Sequence, residues 1–409
     1  MHTKMQTPWE YRYSQRTQRM KASAIRELLK VTEQPDMISF GGGFPAPDVF
    51  PVEEFKKACN YVLEHKGAEV LQYGGTDGYV PLREMILRHA INLGINVDIG
   101  NILITSGSQQ ALDLLGKIFI NRGDRILVES PTYLGALQAW NAYGAEYITV
   151  PVDEYGMITE KLEAALRIGP KFIYVLPNFQ NPTGTTLSLE RRKKLIHLAD
   201  RYGVPIVEDD PYGQLRYEGE SLPAVELLDS QMRVQNGTYT GNVIYLSTFS
   251  KILAPGLRLA WVIAPHGVIS KLALAKQGCD LHTSTFNQIV AHEVGQHGFI
   301  DRHITVIQKV YRERRNAMLD SLEEHMPEGV KWTRPHGGLF LWVTLPEQFD
   351  TTEMLPEVIQ EKVAYVPGEF FHPDGSGKNT MRLNFSFCSP EKINEGIARL
   401  GRAFKKKIV

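Results

Sequence analysis

Lys251 and Arg258 lie seven residues apart in the stretch "FSKILAPGLR", residues 249–258. Both flanks, "VIYLST" (243–248) and "LAWVIA" (259–264), are apolar and β-branched or aromatic, and read as buried strands. A lysine in a Gly/Pro loop between two core strands is either a snorkelling surface residue or a group whose pKa the protein sets. A free lysine titrates near 10.4, so it is a poor nucleophile at neutral pH.

Three further polar clusters follow apolar runs. In "TSGSQQAL" (105–112) a strand turns into a helix, and the backbone N–H groups of Gly107, Ser108 and Gln109 are expected as free donors for an anion such as phosphate. Alone, the same residues read as an ordinary serine cap. In "NFQNPTG" (178–184), Asn181-Pro182 marks a strand-to-helix turn in which the bond to proline can be cis. In "VEDDPYGQL" (207–215), Asp209 and Asp210 close an apolar strand, with Tyr212 three residues beyond Asp209. A carboxylate there must be paired or its pKa rises. A metal site would need clustered His or Cys partners, which the sequence does not place nearby, so no metal is expected. Taken alone, Asp209 reads equally well as a paired structural acid.

Together these pieces match one ligand. A phosphorylated pyridine aldehyde needs an anion seat, a carboxylate for its ring nitrogen, a donor for its ring hydroxyl and a lysine for a Schiff base. Ser108, Arg258, Asp209, Asn181, Tyr212 and Lys251 supply those parts. This answers the question of the lysine: as an imine its nitrogen is held by the cofactor and can be exchanged for a substrate amine.

The elements that must position these residues form an alternating pattern. Strands are expected at "NILITS" (101–106), "RILVES" (125–130), "KFIYVLP" (171–177) and "VPIVED" (204–209). Between them, helical spacing appears at 108–120, at 134–144 ending on Gly144, and at 189–203 ending on Gly203. Alternating strands and helices imply a mostly parallel sheet covered on both faces, with function at the C-terminal strand ends. Upstream lie a polar, basic segment with a short helix expected at 23–31 and a Gly/Pro-rich loop, "SFGGGFPAPDVFP" (39–51). After residue 290 the pattern changes to a long helical stretch (287–325), a strand in "GGLFLWVTL" (337–345) opened by Gly337 and Gly338, a second apolar run "MRLNFSF" (381–387) and a last helix. The expected division is an N-terminal arm and substrate-side loop (1–50), a large domain (51–295) and a smaller α+β domain (296–409).

The chain has 409 residues, enough for two cores, with 43% apolar and 22% charged residues. A net charge of −1 gives no reason to expect nucleic acid or an acidic membrane as a partner. Three lysines near the C-terminus read as a solvated helix end. Cys59, Cys279 and Cys388 lack disulfide or metal-site spacing and are expected as buried, reduced thiols. No signal peptide or membrane-spanning run is apparent, so a cytoplasmic protein is expected.

"TFSKILAPGLRLAW", "EDDPYG", "NPTG", "GSQQALDLL" and "MRLNFS" together resemble the class I/II aminotransferases of the fold-type-I pyridoxal phosphate enzymes, and most closely the 2-aminoadipate, kynurenine and aromatic aminotransferase subgroup. The resemblance runs from about residue 20 to the C-terminus. It implies pyridoxal 5'-phosphate as cofactor, Lys251 as Schiff-base lysine and proton shuttle, and Asp209 on the pyridine nitrogen. Asn181 and Tyr212 would bond the ring hydroxyl, and Tyr133 would stack on the ring. Ser108, Gln109, Thr248, Ser250 and Arg258 are implied around the phosphate, with Thr248 standing where the family often has serine. Arg382 matches the clamp for the substrate α-carboxylate, and Gly42 would line the substrate side. Tyr73 resembles the tyrosine that reaches the phosphate of a neighbouring subunit, which implies a homodimer with shared active sites. Arg26 matches an arginine that can meet a distal substrate carboxylate; an exposed helical arginine is the plain alternative.

The resemblance thus implies ping-pong transfer of an amino group from an aromatic, branched-chain or 2-aminoadipate-type amino acid to 2-oxoglutarate. A pyridoxal phosphate lyase with the same lysine is one rival. An aminotransferase-like ligand-sensing regulator is another, but the segment before the resemblance is short for a winged-helix module.

Overall fold

The structure is a computed structural model and describes residues 8–20, 36–235 and 238–408. Arg26 and the helix expected at 23–31 lie outside the described residues.

The largest sheet has eight strands. They are β1 (Ile102–Thr105), β2 (Arg125–Ser130), β3 (Glu146–Asp153), β4 (Gly156–Met157), β5 (Ile173–Val175), β6 (Ile206–Asp209), β7 (Val243–Thr248) and β8 (Ala260–Ile263). Their order is β1-β8-β7-β6-β5-β2-β3-β4. The pairs from β7 through β3 are parallel, and β8 runs antiparallel to both its neighbours. Alternate strand residues feed two cores, as the period of two demands. Val128, Tyr174, Val207 and Ile244 pack with α3 (Ser108–Phe119), α4 (Leu134–Asn141) and α8 (His266–Asp280). Leu127, Ile173, Ile206 and Val243 pack on the other face with α5 (Leu162–Leu166) and α6 (Leu189–Tyr202). Residues buried on both faces explain why these strands read as unbroken apolar runs.

α6 ends where expected, with Gly203 in the left-handed conformation. α4 ends earlier than expected, at Asn141, and Gly144 lies in the following turn. β3 was not legible as a strand because it is half exposed and mixes polar with apolar residues.

The reversal of β8 shapes the site. Ala260, at the start of β8, is in register with Thr105 at the end of β1 and Thr248 at the end of β7. The loop entering β8 therefore reaches the same edge as the loops leaving the parallel strands, and brings Arg258 beside residues 106–108.

A second sheet of four antiparallel strands, β9 (Lys331–Trp332), β10 (Phe340–Thr344), β11 (Val366–Pro367) and β12 (Thr380–Asn384), has the order β9-β10-β12-β11. Gly337 and Gly338 precede rather than open β10. The helical stretch expected at 287–325 is two helices, α9 (Thr285–Gly295) and α10 (Phe299–His325), separated by a 3-10 turn in which His297 has φ 56°. α10 packs on α12 (Pro390–Ile408). At its end, Lys406 and Lys407 pair with Glu361 and Glu357, so the basic tail is a paired, exposed helix end. Ile38–Ser39 pairs in parallel with Val363–Ala364, which ties the Gly-rich loop to this half of the molecule.

The cysteines differ from expectation: Cys388 is buried, Cys59 is half-buried and Cys279 is exposed at the end of α8. All three are free. Among the described residues no helix is long and apolar enough to cross a membrane.

Candidate active site

Five loops leaving one edge of the eight-stranded sheet converge on Lys251. After β7, Phe249 leads into Ser250 and Lys251, and Thr248 Oγ1 lies 3.0 Å from both Leu259 O and Ser250 Oγ, sharing its one proton between them, which folds the loop back toward β8. Lys251 is partly buried and its Nζ donates to the Gly43 carbonyl at 2.9 Å. Burial first, then the positive charges of Arg382 and Arg258, pull its ammonium down to about 8. Near neutrality this amine is far more available than an exposed lysine.

Asp209 closes β6 on the face of the sheet that carries Tyr174, and Tyr174 is in register with Val207. The Tyr174 hydroxyl consequently reaches Asp209 Oδ2 at 2.7 Å. Oδ1 is buried and has no partner among the described residues. Burial pushes this carboxyl up to about 7, against the Tyr174 bond and helped by Asp210. A cation facing Oδ1 would reverse that shift and hold the carboxylate ionised.

Asn181 and Tyr212 are 3% and 4% exposed. The Tyr212 hydroxyl lies against the Asn181 side chain, its ring meets Phe340 edge-on, and burial raises its pKa. The Asn181-Pro182 bond is cis. Asn181 Oδ1 accepts from Arg382 Nη1 at 2.8 Å. Arg382 stands in the middle of β12, in register with Trp342 and Val366, and is 2% exposed. Its Nη2 donates to Gly41 O at 2.7 Å, and its guanidinium lies 4.3 Å and 5.0 Å from the ring centres of Phe340 and Phe371. Burial lowers it to about 10, and its Nε has no partner among the described residues.

The anion seat takes shape at the start of α3. Gly107 holds φ 85°, and a Cβ there would collide with the Arg258 guanidinium, so only glycine lets the arginine lie across this turn. Arg258 itself is exposed and adopts a left-handed backbone, φ 53°. One expectation needs correction: the Gly107 N–H donates to Thr105 O at 2.8 Å, so the donors heading the helix are those of Ser108 and Gln109. The buried Ser108 hydroxyl has no partner among the described residues. The Gln109 side chain donates to Gly135 O at 2.8 Å, and Gly135 lies under the half-buried Tyr133 ring.

The remaining expected residues fall at the margins. Gly42 is covered by the Phe44 ring, and it is its neighbours Gly41 and Gly43 whose carbonyls hold Arg382 and Lys251. Tyr73 is 78% exposed and edge-on to His282.

Sequence reasoning passed over several participants. Tyr174 sits in "KFIYVLP", where a tyrosine reads as core. Phe340 and Phe371 read as apolar strand or loop residues. Glu129, buried and pushed up to about 8, accepts from Leu176 N and Gln180 Nε2, while Gln180 also donates to Pro131 O at 2.7 Å. It thereby ties the Tyr133 loop to the Asn181 loop. Only its place at the end of "RILVES" hinted at a role.

Of the buried polar atoms that lack partners among the described residues, three belong to the groups assembled here: Ser108 Oγ, Asp209 Oδ1 and Arg382 Nε. Leaving such groups unpaired is costly, so their presence together points to a ligand. A phosphate, a protonated ring nitrogen and a carboxylate would satisfy them in that order, and pyridoxal phosphate with an amino acid carries all three.

Residues 35–400 match the aminotransferase class I and II family. The chain is 48% identical to aromatic-amino-acid aminotransferase 1 of Thermococcus litoralis, over 98% of this chain and 95% of that protein. It is 43% identical to the 2-aminoadipate transaminase of Thermus thermophilus, over 97% of each. Among solved structures it resembles Pyrococcus horikoshii kynurenine aminotransferase in complex with PMP, KYN as substrates and KYA as products. That likeness has a TM-score of 0.92 and 46% identity over 98% of this chain and 99% of that one. The chain belongs to the class I and II aminotransferases and is a fold-type-I, pyridoxal-phosphate-dependent enzyme acting on amino and oxo acids.

Proposed function

We propose that the protein moves the amino group of a large L-amino acid, of aromatic, 2-aminoadipate or branched-chain type, to 2-oxoglutarate in two half-reactions. The observation that carries the reading is the set of unpartnered buried atoms around Lys251, with Arg382 held rigidly on the substrate side. The aromatic and 2-aminoadipate activities of the named relatives support the donor class.

Bound pyridoxal phosphate supplies an aldehyde for the amino group and a ring that accepts the electron pair left at the substrate Cα. Lys251 would hold the cofactor at rest, and its amine, once freed, would take the proton from the substrate Cα and deliver it to the cofactor carbon that receives the amino group. Asp209 keeps the ring nitrogen protonated. Asn181 and Tyr212 bond the ring hydroxyl, while Tyr133 covers the ring face. Ser108, Gln109, Thr248, Ser250 and Arg258 hold the phosphate. Arg382 takes the α-carboxylate in its planar fork. Arg26 is proposed for a distal carboxylate, and Gly42 for the substrate side.

The same proposal divides the chain at residues 51–295 and 296–409, with residues 1–50 as an arm. The eight strands of the larger sheet and the four of the smaller one support it, since each set lies within one part. Exposed Tyr73, with Leu71 and Leu281 also exposed, supports a homodimer in which Tyr73 reaches the partner's phosphate. Three free cysteines support a cytoplasmic location.

The test is spectroscopic. Glutamate without an acceptor is expected to bleach the visible band of the bound cofactor, and 2-oxoglutarate to restore it. Phenylalanine, leucine and 2-aminoadipate then rank the donors. A band that no amino acid converts would favour a lyase, and turnover of aspartate or alanine alone would overturn the donor class.

A further inference from the structure

One charged pair, its cation fully buried and its carboxylate about a quarter exposed, stands directly behind the anion seat and has no part in the chemistry above. Lys276 is fully buried on the last turns of α8, and its Nζ donates to both oxygens of Asp280 at 2.6 and 2.8 Å. Asp280 Oδ2 also accepts from Ser106 Oγ at 3.0 Å and from Gln110 Nε2 at 2.6 Å. Gln110 Oε1 in turn accepts from the Ser106 backbone N–H at 2.8 Å. Ser106 and Gln110 bracket residues 107–109, so this one carboxylate fixes both ends of the turn that heads α3.

The backbone beside Asp280 is distorted to allow this. Leu281 has φ 61° and ψ −58°, and the His282 N–H donates to Asp280 O at 2.7 Å. This is a γ-turn of the rare, strained handedness, on a residue with a full side chain. Its effect is to return Thr283 to Ser106, with the two hydroxyls 3.2 Å apart. Such strain persists where the surrounding contacts require it.

The charge arrangement is unusual. A carboxylate one hydrogen bond behind an anion seat opposes the anion, and at a position only about a quarter exposed the repulsion is screened less than in open water. We propose that Asp280 and Lys276 are positioning residues for the cofactor phosphate. Asp280 takes the side-chain donors of Ser106 and Gln110 and so shapes the turn, while Lys276 cancels its charge so that a dianion can bind in front of it. The proposal rests on the assignment of the phosphate to Ser108, Gln109 and Arg258.

The experiment compares two ligands of the apoprotein, pyridoxal phosphate and pyridoxal, which differ only in the phosphate. Dissociation constants are read by absorbance for the unaltered protein and for K276M, D280N, K276M/D280N and R258Q. K276M is expected to weaken pyridoxal phosphate by about tenfold and pyridoxal by no more than about threefold. The asparagine of D280N can still accept from Ser106, so there the freed cation dominates and phosphate preference rises by about threefold. The double variant returns to within about threefold of the unaltered protein. K276M weakening both ligands equally, or neither, overturns the proposal. Should K276M fail to fold, D280N decides: a preference that falls or stays constant overturns it. R258Q separates the two levels. If it lowers phosphate preference while K276M does not, the seat stands and the pair only supports α8. If neither lowers it, the seat itself is wrongly assigned.

Discussion

Arg258 is exposed and leans across Gly107 on a loop, whereas Arg382 is 2% exposed, fixed in the middle of a strand between two aromatic rings and bonded to Asn181 and Gly41. Both are assigned to anions, the first to a phosphate that stays through many turnovers and the second to a carboxylate that comes and goes. The contrast shows where rigidity is needed. A phosphate offers charge and several equivalent oxygens, so backbone N–H groups and a solvated arginine suffice. A substrate carboxylate has to be oriented so that one Cα bond faces the lysine. That takes a guanidinium with few rotamers left and little water to compete.

The largest effect expected from this contrast comes from R382M. It removes a buried, hydrogen-bonded cation whose proposed partner is a substrate anion, a loss of roughly 3–5 kcal/mol or about 10²–10⁴-fold in kcat/KM. Affinity for pyridoxal phosphate should stay within about threefold, since the phosphate is held elsewhere. R382K should recover little, because an ammonium reproduces neither the fork nor the stacking on Phe340 and Phe371. Steady-state kinetics together with cofactor titration check both halves. Recovery to near full activity by lysine would erase the distinction between the two arginines.

R258Q is next in size. Removing one charge-assisted hydrogen bond at an exposed position costs about 1.5–3 kcal/mol at most, or roughly 10–100-fold in cofactor affinity. Here R258K should keep most of the affinity, because a point charge serves a phosphate nearly as well. Raising the salt concentration should weaken the grip of Arg258 on the cofactor more than that of Arg382 on the substrate. Equilibrium dialysis at two ionic strengths would show it.

How far this contrast could be read beforehand depended on the chemistry of each residue. Lys251 and Asp209 stand out because a polar residue at the end of an apolar strand conflicts with its surroundings, whereas Asn181 and Arg382 were marked by the motifs "NPTG" and "MRLNFS" that carry the family resemblance. The parallel sheet was legible from strands buried on both faces. The reversal of β8 was not, because "LAWVIA" carries no sign of its direction, and that reversal is what places Arg258 beside Gly107. Tyr174, Phe340 and Phe371 were hidden for the opposite reason: aromatic residues in apolar runs conflict with nothing, although one holds Asp209 and two enclose Arg382. The break between α9 and α10 was present in "EVGQHGF", where two glycines interrupt the helical pattern. The freedom of the Gly107 N–H was overestimated because a turn closing on Thr105 O depends on backbone geometry, not residue type.

A third prediction probes the buried side of the contrast through stability. The Asp209 carboxyl titrates at about 7 in the folded protein instead of its ordinary 3.8. Between those values the folded state binds the proton more tightly. This group therefore lowers stability as pH rises from about 3.8 to about 7, and the full cost remains above pH 7. D209N removes that cost. Apoprotein of this variant should be more stable than the unaltered apoprotein at pH 8 by on the order of 1–3 kcal/mol, and the advantage should vanish near pH 4. In the presence of pyridoxal phosphate the order should reverse, because the unaltered protein gains the ion pair. Denaturant unfolding of both forms at pH 4, 6 and 8 measures it, and an advantage that does not depend on pH would mean that charge burial is not its source.

The smallest expected effect is also the one that compares the two arginines on a single scale. Both lower the pKa of Lys251, and after burial the contribution of Arg382 exceeds that of Arg258. A cation is felt more strongly through a buried, low-dielectric path than from an exposed position. The rate at which apoprotein captures pyridoxal depends on the fraction of Lys251 present as free amine, and pyridoxal has no phosphate to involve Arg258 directly. In the unaltered protein that rate should rise with a midpoint near pH 8. R382M should move the midpoint upward by roughly 0.5–1 unit and R258Q by less, about 0.2–0.5 unit. At pH 7 either variant then captures pyridoxal more slowly, and the deficit closes by pH 10, when the amine is free in all three proteins. Equal shifts would mean that Arg258 acts on Lys251 from as sheltered a position as Arg382, and the division into a solvated and a buried arginine would hold only for their surfaces, not for their fields.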